Sequence, residues 1–220
     1  MSSSRVLLCA LVLFGVCGCT TVPEQPLGSE ASRALRGKTL AASRHDSPNF
    51  NAKTAGKRLL GVVGRVVMMT SGNQLVTDNA IADPALAITA SVRKTLAATR
   101  QMKLVADKPG FATRDDLPSL IEQYAGAQYL LDVQTTRWQF EYRRMDWSHY
   151  EVKYSAHVRL IDVTKQTVIA ETECNSSHGD PKQPPTLDAL LDQRAALLKR
   201  YLAEAANSCA DVVSKYILQL

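Results

Sequence analysis

From residue 150 to residue 160 apolar and polar side chains alternate without interruption, and this period of two constrains the fold more than any other feature of the chain. Tyr150, Val152, Tyr154, Ala156, Val158 and Leu160 fall on one side, and Glu151, Lys153, Ser155, His157 and Arg159 on the other. Successive side chains of a strand point to opposite faces, so the segment predicts a strand with one buried and one wet face. Asp162-Val163-Thr164-Lys165-Gln166 turns the chain, and 167–174 returns as an antiparallel partner. A sheet with an apolar face needs a second layer to cover it.

A Pro-rich link at 181–185 leads to that layer, a long helix over 187–218. Leu191, Leu198, Leu202, Ala205, Cys209, Val212 and Tyr216 recur there at helical spacing, so one stripe is expected to face the sheet. Upstream, 59–69 is a nearly continuous β-rich run punctuated by Gly61 and Gly64, which predicts a strand buried on both faces. Asp83-Pro84 supplies an N-cap and first residue for a helix to about Arg100, with Leu86, Val92 and Leu96 as its stripe. Lys103-Leu104-Val105-Ala106 reads as a short strand. Residues 113–125 read as a second helix stopped at Gly126, and Tyr129-Leu130-Leu131-Asp132-Val133 opens a strand running towards Trp138. The order β-α-β-α-β-β-β-α predicts an α+β fold: a mixed or antiparallel sheet of about five strands, packed by two shorter helices and the long C-terminal helix. With 220 residues, 45% of them hydrophobic, the chain can build one such core, and wholly disordered or collagen-like chains are excluded. The net charge of +5 comes from scattered residues, so no nucleic-acid partner is expected.

The first residues carry an address. Arg5 precedes an apolar run over 6–16 and then small residues, the layout of a secretory signal. About eleven apolar residues are too few to span a bilayer core, which takes roughly 20. Val16-Cys17-Gly18-Cys19 resembles the bacterial lipobox, with an aliphatic residue at minus three and a small residue before the cysteine; Cys17 stands where Ala, Ser or Thr is more usual. The resemblance implies that Cys19 becomes the mature N-terminus, carrying diacylglycerol and an amide-linked fatty acid such as palmitate. Two or more acyl chains make a stable membrane anchor. Thr20, where Asp would retain a lipoprotein in the inner membrane, implies the periplasmic face of the outer membrane. An ordinary cleaved signal without lipid is the alternative. Residues 1–18 are thus expected to be a lipoprotein signal peptide and 19–56 a lipidated N-terminus and flexible tether reaching about 33 Å. Residues 57–220 form the expected periplasmic domain.

In an oxidising compartment Cys174, at the end of the hairpin and on the side of Val168 and Ala170, and Cys209, on the helix stripe, are expected to pair. Two separate buried thiols are the alternative. Six of the thirteen aromatic residues (2 Trp, 7 Tyr and 4 Phe) fall between Trp138 and Tyr154, with Arg143 and Arg144 among them. Trp138, Phe140, Tyr142, Arg143, Arg144 and Trp147 are therefore interaction candidates, since amphipathic aromatics and Arg favour protein interfaces and membrane surfaces. Alternatively, Trp138, Phe140 and Tyr142 cover the sheet; Trp147, at a polar hairpin tip, is the strongest candidate for an exposed anchor. No metal site, cofactor or catalytic residue is expected. None of the common nucleophile, phosphate or zinc motifs occurs, and Asp115-Asp116 is best read as the acidic first turn of a helix.

The lipobox, the Val62-Val63-Gly64-Arg65-Val66-Val67 run, the Tyr-Leu-Leu-Asp-Val strand and the Arg159-Leu160-Ile161-Asp162-Val163 hairpin resemble a group of outer-membrane lipoproteins. That group includes the curli secretion channel subunit, exopolysaccharide-secretion lipoproteins and the lipoprotein activator of a penicillin-binding protein. The resemblance covers about 57–218 and implies a periplasmic α+β domain, sometimes assembled in rings. The expected function is a non-catalytic interaction or assembly component of an envelope or export system, with the membrane and a protein or a second copy as partners. A regulator of a peptidoglycan synthase and a periplasmic hydrolase are the alternatives.

Overall fold

The computed structural model describes residues 22–54 and 61–220, the side chains of 61–68 excepted. The elements are α1 (Ser29–Ala34), β1 (Thr39–Ala42), β2 (Asn51–Lys53), α2 (Gly61–Asn79), α3 (Pro84–Arg100) and β3 (Lys103–Leu104). There follow α4 (Leu117–Gln123), β4 (Tyr129–Arg143), β5 (Asp146–Asp162), β6 (Thr167–His178) and α5 (Leu187–Val212), closed by a π-helical turn, Val213–Ile217. The fold is α+β with a mixed open sheet. Strands run in the order β3-β1-β4-β5-β6, with β2 paired to the distal half of β4. β4, β5 and β6 form antiparallel ladders, whereas β1 and β2 join β4 in parallel.

The alternating segment forms β5, and all six of its apolar residues lie in the main core. β4 obeys the same rule with one interruption. Tyr129, Leu131 and Val133 face that core; an irregularity between Thr135 and Arg137 then inserts a residue, so that Trp138 and Phe140 take over the apolar face. A second irregularity beside Leu160 places Val168 against the smaller cluster on the opposite face, away from Ala170 and Cys174. This corrects the expectation that Val168 shares their side.

α3 and α5 cover the main apolar face, and α4 covers part of the other. Asp83 caps α3 by accepting from the Ala85 N–H at 2.9 Å, and its carboxylate also takes the Thr135 hydroxyl, which lies 3.0 Å from the Tyr154 hydroxyl. The buried stripe of α3 is Ala85, Ile88, Val92 and Leu96, and Leu86, expected on it, is exposed. The final helix is interrupted rather than continuous: Asp192 is extended, and Gln193, Arg194 and Ala195 have φ of 49°, 59° and 57°. Val213 and Ile217 bury the last turns, so Val212 and Tyr216, expected on the stripe, face outward.

Two expectations about the first third of the chain are overturned. Residues expected in a tether carry α1, β1 and β2, and Leu27, Leu35, Leu40 and Phe50 are buried in the main core. These apolar residues come singly along the sequence, and only the parallel partner strand gathers them. Residues 61–79 form a helix, not a strand; the places beside β4 are filled by β1 and β2. A short apolar run suits a buried strand and a buried helix alike. Gly72 lets α2 sit directly on β2: a Cβ there would fall 1.9 Å from the Phe50 carbonyl oxygen, and Asn73 Oδ1 accepts the Phe50 N–H at 3.0 Å. Among the described residues, no helix is long and apolar enough to cross a membrane.

Candidate functional site

Two places gather the chemistry-bearing side chains: the tip of the β4–β5 hairpin and the polar face of the sheet. At the tip the chain reverses through Arg144 and Met145, the latter with φ of 66°. Met145 is 95% and Trp147 63% exposed, and the Trp147 ring lies 6.4 Å from that of Tyr142. Asp146 organises the turn by accepting from the Ser148 N–H at 3.2 Å, and it pairs with His149 at 2.8 Å. Loss of water raises its carboxyl pKa, but the His149 and Ser148 hydrogen bonds outweigh this and hold it below the ordinary value. Arg143, half-buried, donates to the Pro181 carbonyl at 3.1 Å, whereas Arg144 is exposed. Tyr150 donates its N–H to Pro185 at 2.8 Å, so the Pro-rich link braces the base of the tip.

Trp138 and Phe140 do not belong to this surface. They are 3% and 1% exposed, and Phe50 packs between them with ring centroids at 5.3 and 5.8 Å. The Trp138 indole donates to the Pro48 carbonyl at 2.6 Å. The inserted residue in β4 turns both inward, and the segment read as tether covers them. Of the six interaction candidates, Arg144 and Trp147 are exposed, Tyr142 and Arg143 are half-buried, and Trp138 and Phe140 are core.

The second place centres on Asp132, fully buried within an otherwise apolar stretch of β4. Its Oδ1 accepts from Ser43 at 2.5 Å and faces His45 Nε2 at 2.6 Å; its Oδ2 takes Nε and Nη2 of Arg159 at 2.9 and 2.6 Å. Arg159 also donates to the Asp115 carbonyl at 2.8 Å. Burial raises the Asp132 pKa, yet the His45 hydrogen bond, the Arg159 charge and the Ser43 hydrogen bond together hold it below the usual carboxylate range.

Ser, His and Asp meet here, but not as a nucleophile relay. Ser43 and His45 both address the same Asp132 oxygen, so no base is aimed at the hydroxyl. The cluster pins β1 and the loop after it to β4, β5 and the start of α4. His45, read as a tether residue, and Arg159, read only as a wet-face residue, are the partners that sequence reasoning missed. The available signal was an acid at the centre of Tyr-Leu-Leu-Asp-Val, a position that demands a cation.

Along the rest of the polar face Glu141 accepts from Lys53 at 3.1 Å and from Lys153, and His157 pairs with Glu171 at 2.7 Å. Asp116 accepts the Ser119 N–H at 3.1 Å as the cap of α4, which starts at Leu117, so the acidic pair precedes the helix and does not form its first turn as expected. Among the described residues no group of three or more His, Cys, Asp or Glu could hold a metal ion. Cys174 and Cys209, both buried, are joined by a disulfide between β6 and α5, with Cα atoms 5.6 Å apart. Cys19 lies outside the described residues.

No protein-family model and no curated protein matches the chain. In structure it is similar to a PelC dodecamer from Paraburkholderia phytofirmans, at 14% identity and a TM-score of 0.40, over 90% of this chain and 97% of that one. It is similar to the LpoB C-terminal domain from Escherichia coli at 13% identity and a TM-score of 0.29, over 66% of this chain and 85% of that one. Lipoprotein GNA1162 from Neisseria meningitidis gives 11% identity and a TM-score of 0.29, over 77% and 99%. Identities this low transfer no activity to the chain.

Proposed function

We propose that the chain is a lipid-anchored periplasmic lipoprotein acting as a non-catalytic docking component of an envelope or export assembly. The observation that carries this reading is the hairpin tip, which holds Met145 and Trp147 out in solvent, outside both hydrophobic clusters. Apolar side chains placed together on a polar surface mark a contact site. Cys19 supplies the anchor and Thr20 directs it to the outer membrane. The closed hydrogen bonding around Asp132 supports a structural role for the buried cluster that brings Ser43, His45 and Asp132 together.

The shortened tether bears on the alternative. A regulator that must cross the wall to a peptidoglycan synthase needs a long lead, and here Gln25 is already bonded to Glu171 of β6. The reading is tested by formaldehyde crosslinking in intact cells, followed by purification of the tagged lipoprotein under denaturing conditions. An adduct of discrete mass, with a second copy or with an envelope protein, is expected. A chain that stays monomeric at every crosslinker dose contradicts the docking role.

A further inference from the structure

We propose, building on the periplasmic reading above, that the end of the domain opposite the hairpin tip is a basic pole that binds the carboxylates of the cell wall's peptide-crosslinked glycan.

The topology makes the pole. β1 and β3 run parallel to β4, so Lys38, just before β1, and Lys103, the first residue of β3, stand where β4 begins and β5 finishes. Lys103 donates its N–H to the Lys38 carbonyl at 2.8 Å. The turn between β5 and β6 brings Lys165 to the same end. α3 also ends here: the Arg100 carbonyl accepts the Gly37 N–H at 3.1 Å, and Arg36 Nε donates to Gln101 Oε1 at 3.3 Å. Strands about 4.8 Å apart set Lys103 and Lys165 roughly 15 Å from each other, with Lys38 between them. Cations scattered along the sequence are thus gathered by the fold.

Ordinary uses account for some of these charges and not for the rest. Arg33 and Arg100 lie in the last turns of α1 and α3, where a helix end favours a cation, and both donate to acceptors of the protein. Arg36, Lys38, Lys103 and Lys165 are exposed, and none has an ion-pair partner among the described residues. Asp162, in the same row, is buried and accepts the Lys165 N–H at 2.9 Å within the turn. Like charges held together repel one another, and an anionic partner relieves the repulsion.

The surroundings select the partner. Protein interfaces are depleted in Lys and have an apolar centre. Here the neighbours are Gly37, Gln101, Thr164 and Gln166, with Leu104 exposed at the rim. The anchoring leaflet lies the other way. Gln25 pairs antiparallel with Glu171, so the chain before it is directed away from the pole. Glu171 itself is already roughly 13 Å along β6 from Thr167. A carboxylate-bearing polymer on the side away from the membrane fits both constraints, and the peptide stems of the wall supply one.

The full-length lipoprotein, held in phosphatidylcholine nanodiscs, is mixed with purified sacculi or with phosphatidylglycerol vesicles and sedimented. It is expected to pellet with sacculi, to be released at about 1 M salt, where charges are screened beyond roughly 3 Å, and to ignore sacculi whose carboxyls have been amidated. Lys38→Gln with Lys103→Gln should weaken the binding about tenfold. Lys94→Gln with Lys182→Gln, which removes the same charge elsewhere, should not. Both pairs should melt as the wild type does, so that a loss of binding reads the pole and not the fold. No sedimentation with sacculi, an equal loss in the two double variants, or binding to the vesicles in place of sacculi overturns the proposal. If crosslinking in cells still yields an adduct, the docking role survives that result; protein that shows neither overturns both.

Discussion

Moving a carboxylate out of water costs several kcal/mol unless hydrogen bonds and a counter-charge replace the solvent, and Asp132 has both. Removing it leaves Arg159 buried without its partner, so Asp132→Ala should destabilise the domain by about 3–5 kcal/mol in urea denaturation at pH 7. Its pKa is depressed in the folded state, so its contribution is present above the unfolded value of ~3.9 and is lost as the pH falls through the folded one. The gap between wild type and variant should therefore narrow at pH 3. A loss below about 1 kcal/mol at pH 7 contradicts the pinning role. The two tryptophans make the opposite contrast. Trp147→Ala should change stability by no more than about 0.5 kcal/mol, whereas Trp138→Ala should cost about 3–5 kcal/mol. Thermal melts of the two variants check this, and an early-melting Trp147→Ala would place that side chain in the core.

Elements differ in how plainly the sequence announces them. β5 is legible because a period of two over a dozen residues has no helical counterpart. α3 is legible because Asp83-Pro84 states its first turn. β1 and β2 are not: four and three residues among Ser, Pro and Asn carry no period, and they exist only because β4 offers an edge for parallel pairing. The inward turn of Trp138 and Phe140, one of the two placements their alternation allowed, is decided by one inserted residue near Thr136. The nature of 61–79 is hidden too, where a short apolar run suits strand and helix alike and the β-branched residues argue for the strand that does not form. The exposure of Trp147 was readable, because the polar residues around it allow no core. Phe50 decides the largest of these corrections. Packed between Trp138 and Phe140, its replacement by Ala should cost about 3–5 kcal/mol, measured by urea denaturation, whereas in a flexible tether the change would be silent.

At the scale of the whole molecule, the sheet is held along one edge by the Cys174–Cys209 disulfide and continues beyond its helical layer as the β4–β5 hairpin. The bridge closes a sequence separation of 35 residues. Loop-closure entropy for that length is about 4 kcal/mol, so reduction should lower the urea midpoint by a corresponding amount while far-UV circular dichroism stays native at low urea. An unchanged midpoint would mean that β6 and α5 hold together without the bridge. Everything proposed about the membrane depends on Cys19 being the mature, acylated N-terminus. The intact mass of the protein extracted from cell membranes tests this most directly. The lipid anchor predicts a chain beginning at Cys19 and carrying a diacylglycerol and an amide-linked acyl group. A mature chain of unmodified mass, cleaved at any other bond, would contradict it.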